Sequence, residues 1–296
     1  MSLLNKNETY NERANQRLFK MLSIFLNLAP DYIDSNMIEE ITGGNKDGDE
    51  FAFANLAATA CGLDIYEHPE DKQFFRTHFL PCFKKLEAAP YFDDPYYKNI
   101  VFPKGNIGNW SFETRVCKPY EAFVYGDPEI CPDGRILPRI GFFDVEYPYP
   151  AVLENGREWM TLMPNETNTT KPALDIAEGK VLTFGLGLGY FAYMAAIKPG
   201  VKSVTVVERS RDVIELFEKY ILPQFPNPGM IEIIESDAFE FAQKHMKDGA
   251  YDSVFVDIWH DPSDGCEFYL KMKEYENLLP NARFAYWVED TLKLYI

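Results

Sequence analysis

Three alternating glycines between an apolar strand and a helix constrain this chain more than any other feature. The run 181–184 has the length and apolar character of a buried strand, and Gly185, Gly187 and Gly189 follow it directly, ahead of a helical stretch over 190–198. Because glycine has no Cβ, such a turn accepts positive φ and lets a ligand approach the backbone, while the helix N-terminus supplies N–H donors. The pattern predicts a nucleotide site, although a plain tight strand-to-helix turn has the same sequence.

Acidic residues follow the next predicted strands. The strand 203–208 ends at Glu208, roughly 20 residues after the glycines, which is the offset at which a carboxylate reaches a ribose hydroxyl. A third strand runs from 231 into Asp237, and a fourth, over 251–258, carries Asp257 near its end. Ligands of open parallel sheets bind beyond the carboxyl ends of the strands, where all these positions lie. A parallel sheet is predicted because helical segments alternate with the strands, over 210–222, 237–247 and 263–278.

This succession of positions resembles the motifs of class I S-adenosylmethionine-dependent methyltransferases, whose fold spermidine synthases share. The resemblance covers roughly residues 165–290 and rests on Gly185, Gly187, Gly189, Glu208, Asp237, Ala238 and Asp257. It implies an α/β fold with a Rossmann-like parallel sheet that has helices on both faces, and S-adenosylmethionine as cofactor. It further implies that the glycines border the methionine part and Glu208 holds the ribose hydroxyls. Asp237 and Ala238 are then expected at the adenine, and Asp257 near the reacting sulfonium.

Dinucleotide binding is the nearest alternative within this fold. Gly187, Gly189 and Ala192 satisfy the G-x-G-x-x-A pattern only when the turn is counted two residues after the first glycine. Counted from Gly185, the sixth position is Tyr190, whose bulk opposes close helix-to-strand packing over a pyrophosphate. The acids after the third and fourth strands also have no role in the dinucleotide pattern, so S-adenosylmethionine is favoured over NAD.

Charge and cysteine content limit the classes of partner. The chain has 29 basic and 46 acidic residues, a net charge of −17, which repels nucleic acid and anionic membranes. Its five scattered cysteines lack C-x-x-C spacing, so neither a disulfide framework nor a zinc site is indicated, and no metal is expected. The first residues lack a signal-peptide core, and no apolar run is long enough to span a membrane. These features predict a cytoplasmic protein that acts on a small molecule.

The remainder of the chain is interpreted as two further regions. Residues 1–109 are predicted to form a helical N-terminal domain, with a helix over 69–89 divided or kinked at Pro81. Residues 110–164 form a β-rich segment, in which Asn155-Gly156 between apolar runs indicates a type I′ hairpin. Residues 165–296 form the S-adenosylmethionine-binding Rossmann-like domain. Whether Glu166 or Thr167 contacts a ligand or belongs to a solvated linker stays open.

The catalytic candidates are Asp257 and His260. Methyl transfer needs little beyond alignment of a nucleophile with the sulfonium and, for some nucleophiles, removal of a proton. Asp257 can bind an amine or accept its proton, and His260 is a candidate base because histidine is a common proton acceptor in catalysis. Each also has a structural interpretation as a solvent-facing or loop residue. Asp237 also has a structural interpretation, because the run from Asp237 to Glu240 has the residue pattern of a helix N-cap.

Three functions follow from these observations. The first is methyl transfer from S-adenosylmethionine to a small molecule. The second is spermidine synthase-like aminopropyl transfer, which is disfavoured because those enzymes have an aspartate in the glycine loop where this chain has only leucines. The third is a non-catalytic interaction protein that keeps the cofactor fold. The sequence ends soon after a fifth strand at 283–289, without the closing strands of the fold. Either the β-rich segment or a partner chain is then expected to cover the sheet edge, and the second alternative predicts a homodimer.

Overall fold

The computed structural model describes residues 9–296. Its α-helices are α1 (Tyr10–Leu28), α2 (Ser35–Thr42), α3 (Asp49–Ala60), α4 (Pro69–Phe74), α5 (Ala89–Phe92), α6 (Pro95–Asn99), α7 (Pro164–Ile176), α8 (Tyr190–Ala196), α9 (Arg211–Tyr220), α10 (Ala238–Lys244), α11 (Met246–Gly249), α12 (Pro262–Lys273) and α13 (Glu289–Leu292). Within the part of the chain that the structure describes, none of these helices has the length and apolar character needed to cross a membrane.

The strands found among residues 9–296 belong to four sheets. They are β1 (Phe83–Lys85), β2 (Gly105–Ile107), β3 (Trp110–Cys117), β4 (Phe123–Val124), β5 (Glu129–Ile130), β6 (Ile136–Leu137), β7 (Ile140–Phe142), β8 (Tyr147–Glu154), β9 (Arg157–Thr161), β10 (Gly179–Phe184), β11 (Val201–Glu208), β12 (Ile231–Glu235), β13 (Ser253–Val256) and β14 (Arg283–Tyr286).

The chain divides into two compact units. The first unit is Met1–Ala88 with Val116–Tyr147, and the second is Ala89–Arg115 with Pro148–Ile296. The first contains a core of aromatic and aliphatic side chains from α1, α3, β1 and β7, in which Phe53 stacks on Phe142 at 4.1 Å between ring centroids. The division into 1–109, 110–164 and 165–296 stays a prediction, and the compact units cut the chain at other points.

The second unit is built on a five-stranded parallel sheet in the order β12-β11-β10-β13-β14. The chain crosses from β10 outward to β11 and β12, then returns past β10 to β13 and β14. The carboxyl ends of β10 and β13 therefore lie side by side, with Phe184 paired with Val256. This reversal of direction is the point at which ligands bind in open α/β sheets.

Helices cover both faces of this sheet, as the sequence predicts. Alternate residues of a strand point to opposite faces, so Val181 packs with α8 and α9 while Leu182 packs with α10 and α12. Helix α9 shows the expected amphipathic spacing, with Val213, Ile214, Leu216 and Phe217 buried. The mixed α/β, Rossmann-like architecture of this region is thereby confirmed.

A smaller four-stranded sheet, in the order β2-β3-β8-β9, lies largely in the same unit, and its pairs β2–β3 and β8–β9 are antiparallel. Strands β8 and β9 form a hairpin around Asn155 and Gly156, whose φ angles are 53° and 76°. Positive φ at both positions is what a type I′ turn requires, so the predicted hairpin is confirmed. It places Met160 and Thr161 beside the glycine turn of the larger sheet.

The predicted helix over 69–89 is wrong in its second half. Helix α4 ends at Phe74, and a π-helical turn (Phe75–Phe79) and a 3₁₀ turn (Leu80–Cys82) follow it. The chain then becomes strand β1, which pairs with β7 in parallel. Pro81 lies inside the 3₁₀ turn, so the helical run does not continue as a kinked or divided helix beyond it. The residues after it form a strand because they pair with a segment more than 50 residues away, and local spacing does not reveal that pairing.

Candidate functional site

The turn between β10 and α8 carries glycine at three alternating positions, each with positive φ. Gly185, Gly187 and Gly189 have φ angles of 94°, 52° and 80°. A Cβ at Gly185 would lie 1.9 Å from the carbonyl oxygen of Asp257, and one at Gly187 would lie 2.1 Å from the sulfur of Met160. Positive φ favours glycine at all three positions, and at Gly185 a Cβ would also collide with the backbone.

The N–H groups of this turn are largely engaged by the protein itself. Leu186 N–H donates to Glu208 Oε2 at 3.2 Å, and Leu188 N–H donates to the sulfur of Met160 at 3.3 Å. Gly189 N–H donates to the Leu186 carbonyl at 2.8 Å. The turn thus differs from a phosphate-binding loop, in which such donors face the ligand.

Glu208 ends β11 and lies beside the glycine turn. Its second carboxylate oxygen accepts the N–H of Ser210 at 2.8 Å, so the side chain bridges the turn and the start of α9. Glu208 lines a large cleft and stays partly exposed. This position suits the predicted contact with ribose hydroxyls, which stays a prediction.

Asp237 caps α10, as its structural interpretation predicts. Its Oδ1 accepts N–H bonds from Phe239 and Glu240 at 2.9 and 3.0 Å. Asp237 and Ala238 also line the large cleft, next to Phe239, so the capping role leaves both residues placed for the predicted adenine contact.

The large cleft lies within the second unit and has a volume of ≈ 730 Å³. This is in the range of pockets that hold small-molecule ligands, about 300–1,000 Å³. The described side chains that line it include two cations, Arg209 and Lys271, of which Lys271 sits 3.9 Å above the Phe239 ring. Six carboxylates oppose them, so the cleft favours a positively charged ligand: Glu154, Glu158, Glu166, Glu208, Asp237 and Asp257.

A smaller recess of ≈ 40 Å³ lies at the glycine turn and shares several lining residues with the large cleft. Asp257 and Glu166 line both spaces. Burial raises the pKa of Asp257 to about 7, and the carboxylates of Glu166 and Glu208 add to this effect. Burial likewise raises the pKa of Glu166 to about 7, with a contribution from Glu158. The pKa values of these two carboxyl groups therefore lie close to physiological pH, and such raised carboxyl pKa values are typical of functional sites.

His260 lies at the outer part of the cleft, away from the small recess. Its ring stacks on that of Trp159, with 5.4 Å between centroids and 3° between planes. Trp159 in turn meets Trp110 edge to face at 5.7 Å. All but one of the residues predicted for the site line the cleft or the recess, and Gly189 lines neither. His260 lines the cleft but not the recess that contains Asp257.

Several lining residues are not predicted from sequence, among them Glu158, Trp159 and Met160 of β9 and Trp287 after β14. The Trp287 indole N–H donates to Thr169 Oγ1 at 2.9 Å, which fixes the ring against α7. Only the predicted hairpin signals that β9 exists, and nothing in its sequence indicates that it faces the glycine turn. Among residues 9–296, no cluster of three or more His, Cys, Asp or Glu side chains is arranged to hold a metal ion.

Similarity to solved structures is confined to part of the chain. A spermidine synthase in complex with the transition state analogue AdoDATO is 17% identical over 48% of this chain and 52% of its own, with a TM-score of 0.35. The spermidine synthase from Thermotoga maritima is 18% identical over 50% of this chain and 57% of its own, also with a TM-score of 0.35. A precorrin 8w decarboxylase from Methanobacterium thermoautotrophicum is 18% identical over 44% and 68%, with a TM-score of 0.32.

The aligned region spans about half the length of these spermidine synthases. No protein-family model matches the sequence, and no curated protein matches it. The fold assignment rests on the strand order and the packing of both sheet faces, and these observations establish a Rossmann-like parallel sheet with helices on both faces.

Proposed function

We propose that the protein is a transferase that binds an S-adenosyl sulfonium compound in the large cleft and transfers an alkyl group from it to an amine. The excess of carboxylates in the cleft carries this proposal, because both a sulfonium and an alkylammonium are cations. Glu208, Asp237 and Ala238 are then the nucleoside contacts, and the turn from Gly185 to Gly189 borders the sulfonium chain.

Charge around the glycine turn favours an aminopropyl donor, decarboxylated S-adenosylmethionine, over S-adenosylmethionine itself. The small recess contains the carboxyl groups of Asp257 and Glu166, and no Lys, Arg or His is among the described residues that line it. A ligand carboxylate placed there would meet two acids and no cation, whereas an ammonium would be attracted to both.

Methyl transfer is the second candidate, and the glycine turn supports it. Leu186 and Leu188 are buried between the glycines, so the turn itself offers no carboxylate to hold an aminopropyl ammonium. A methyl donor does not need such a contact. The acceptor amine and the role of Asp257 are the same in both reactions.

A dinucleotide fits this site less well than either donor. Two N–H donors of the turn already bond to Glu208 and to the Met160 sulfur. A pyrophosphate would have to displace these partners and would then lie among the carboxylates of Glu166, Glu208 and Asp257.

Asp257 is the proposed base. The bound sulfonium supplies an electrophilic carbon, and the amine nitrogen forms its new bond there as the carbon–sulfur bond breaks. The nitrogen loses a proton in the process, and the carboxylate of Asp257 accepts it. A base with a pKa of about 7 is well matched to this task, because it is largely ionised just above neutrality and still binds a proton.

Calorimetric titration with S-adenosylmethionine, its decarboxylated form, methylthioadenosine and NAD tests the proposal. We expect micromolar binding of the adenosyl ligands and none of NAD. Glu208→Gln should weaken adenosyl binding by about tenfold or more, because it removes a charged acceptor for ribose hydroxyls. Glu218→Gln, on the exposed face of α9, is the matched control. Preferential binding of NAD, or binding of no adenosyl ligand, would overturn the proposal.

A further inference from the structure

The small recess has room for a short chain that ends in an ammonium group. Its volume of ≈ 40 Å³ compares with roughly 10–15 Å³ that a cavity needs to hold one water molecule, so it is too small for an adenosyl group. It shares Glu166, Asp257 and Gly185 with the large cleft, in which an adenosyl group fits. A ligand in the cleft can therefore extend a short chain into the recess.

Glu166 is held at this recess by the way α7 begins. It is the third residue of the helix, and its Oε2 accepts the N–H of Met163, the N-cap residue, at 3.1 Å. This bond fixes the carboxyl group at the helix start, where the helix dipole favours a negative charge. The geometry of the carboxyl group is thus set before any ligand binds.

The described lining of the recess supplies no positive charge to these acids. Its other ionisable side chain is Tyr190, whose O–H donates to Asp94 Oδ2 at 2.9 Å and whose pKa is raised by burial. Arg209 and Lys271 line only the large cleft. The ring of Trp287 forms part of the wall, and an indole face also attracts a cation.

We propose that Glu166 anchors the primary ammonium of an aminopropyl-type sulfonium donor in this recess and thereby selects a donor without a carboxylate. The carboxyl group, the aromatic wall and the absence of a cation from the described lining all suit an ammonium. This inference rests on the proposed function, since it places the adenosyl group in the adjoining cleft. Glu166 acts here as a binding and specificity residue, while Asp257 keeps the role of base.

The test uses two adenosyl thioethers, both with an uncharged sulfur, of which only one carries an ammonium group. Decarboxylated S-adenosylhomocysteine carries the aminopropyl ammonium, and methylthioadenosine lacks it. We expect Glu166→Gln to weaken binding of the first ligand by 10-fold to 100-fold and to change binding of the second by less than twofold. Glutamine can still accept the N–H of Met163, so the helix cap is kept and the variant differs mainly in charge.

Glu154→Gln is the matched control, because Glu154 lines the large cleft but not the recess. If both variants weaken binding of the ammonium ligand equally, the effect is one of overall charge and the inference fails. The inference also fails if Glu166→Gln weakens binding of the two ligands equally or weakens binding of neither. In these cases the proposed function still stands. If the unmodified protein binds neither thioether, both the proposed function and this inference are overturned.

Discussion

At the scale of single residues, Asp257 is expected to link activity to pH. Its pKa is about 7 in the folded protein, against an ordinary value of 3.8, so activity that needs the carboxylate should rise as pH increases through 7. Asp257→Asn should lower kcat/KM by roughly 10²-fold to 10⁴-fold and abolish this rise. The measurement is a pH profile of kcat/KM for both proteins. An unchanged profile in the variant would remove Asp257 from the reaction.

Asp257→Asn, which should lower activity, should raise the stability of the folded protein above neutral pH. A carboxyl whose pKa is raised on folding binds a proton more tightly in the folded state, so stability decreases as pH rises from about 4 to about 7, by up to about 1.4 kcal/mol per pH unit. Asp257→Asn should therefore be more stable than the unmodified protein at pH 8, as measured by urea unfolding. Equal stabilities there would show that burial of Asp257 carries no cost.

His78 in the first unit is expected to make stability sensitive to acid. It is 1% exposed, stacks on Phe74, and its Nε2 has no hydrogen-bond partner among the described residues. Burial lowers the pKa of His78 below its ordinary value of 6.5, with Arg135 adding to the effect. The unfolded chain therefore binds more protons below pH 6.5, and stability falls as pH drops through that value.

The comparison that checks this is urea unfolding of the unmodified protein and of His78→Phe between pH 5 and 8. Phenylalanine keeps the stacking on Phe74 and cannot be protonated. We expect the stability of the unmodified protein to fall below that of the variant by up to about 1.4 kcal/mol per pH unit under pH 6.5. Parallel curves for the two proteins would mean that His78 does not titrate on unfolding.

At the scale of secondary-structure elements, the turn between β10 and α8 depends on Gly185. Alanine there would need φ near 94° and would place its Cβ 1.9 Å from the Asp257 carbonyl oxygen. We expect Gly185→Ala to destabilise the protein by more than about 2 kcal/mol and to abolish ligand binding. Gly229→Ala is the control, because a Cβ added there would have no atom within 4 Å apart from its chain neighbours, and it should change stability little. Similar losses in both variants would contradict this role.

Local sequence patterns predict the strands of the parallel sheet well, but they do not predict which other residues line the site. The strands ending at Phe184, Glu208 and Val256 are apolar runs closed by turn residues, so their positions in the chain and their parallel direction follow from sequence. Glu166 and Trp159 are different, because their place in the site depends on how α7 and the β8–β9 hairpin pack against the glycine turn. That packing joins residues that are distant in sequence, and no spacing rule encodes it.

The strand β14 lies at an edge of the parallel sheet and pairs with β13 alone among the described strands. An open strand edge presents unpaired backbone groups and favours association. The homodimer remains a prediction, and light scattering at micromolar concentrations tests it by measuring the molecular mass. We expect a mass near twice 34.2 kDa. A mass of one chain across that concentration range would contradict the prediction.

At the scale of the whole molecule, the net charge of −17 adds to the local excess of carboxylates in the cleft. Both attract a cationic donor before it makes contact, and dissolved salt screens this long-range attraction, with a Debye length of about 10 Å at 0.1 M. Association of decarboxylated S-adenosylmethionine should therefore slow roughly tenfold between low and high salt, as measured by stopped-flow. Methylthioadenosine is uncharged and should associate at a nearly constant rate. Equal salt dependence for the two ligands would show that the acidic cleft does not recruit its ligand by charge.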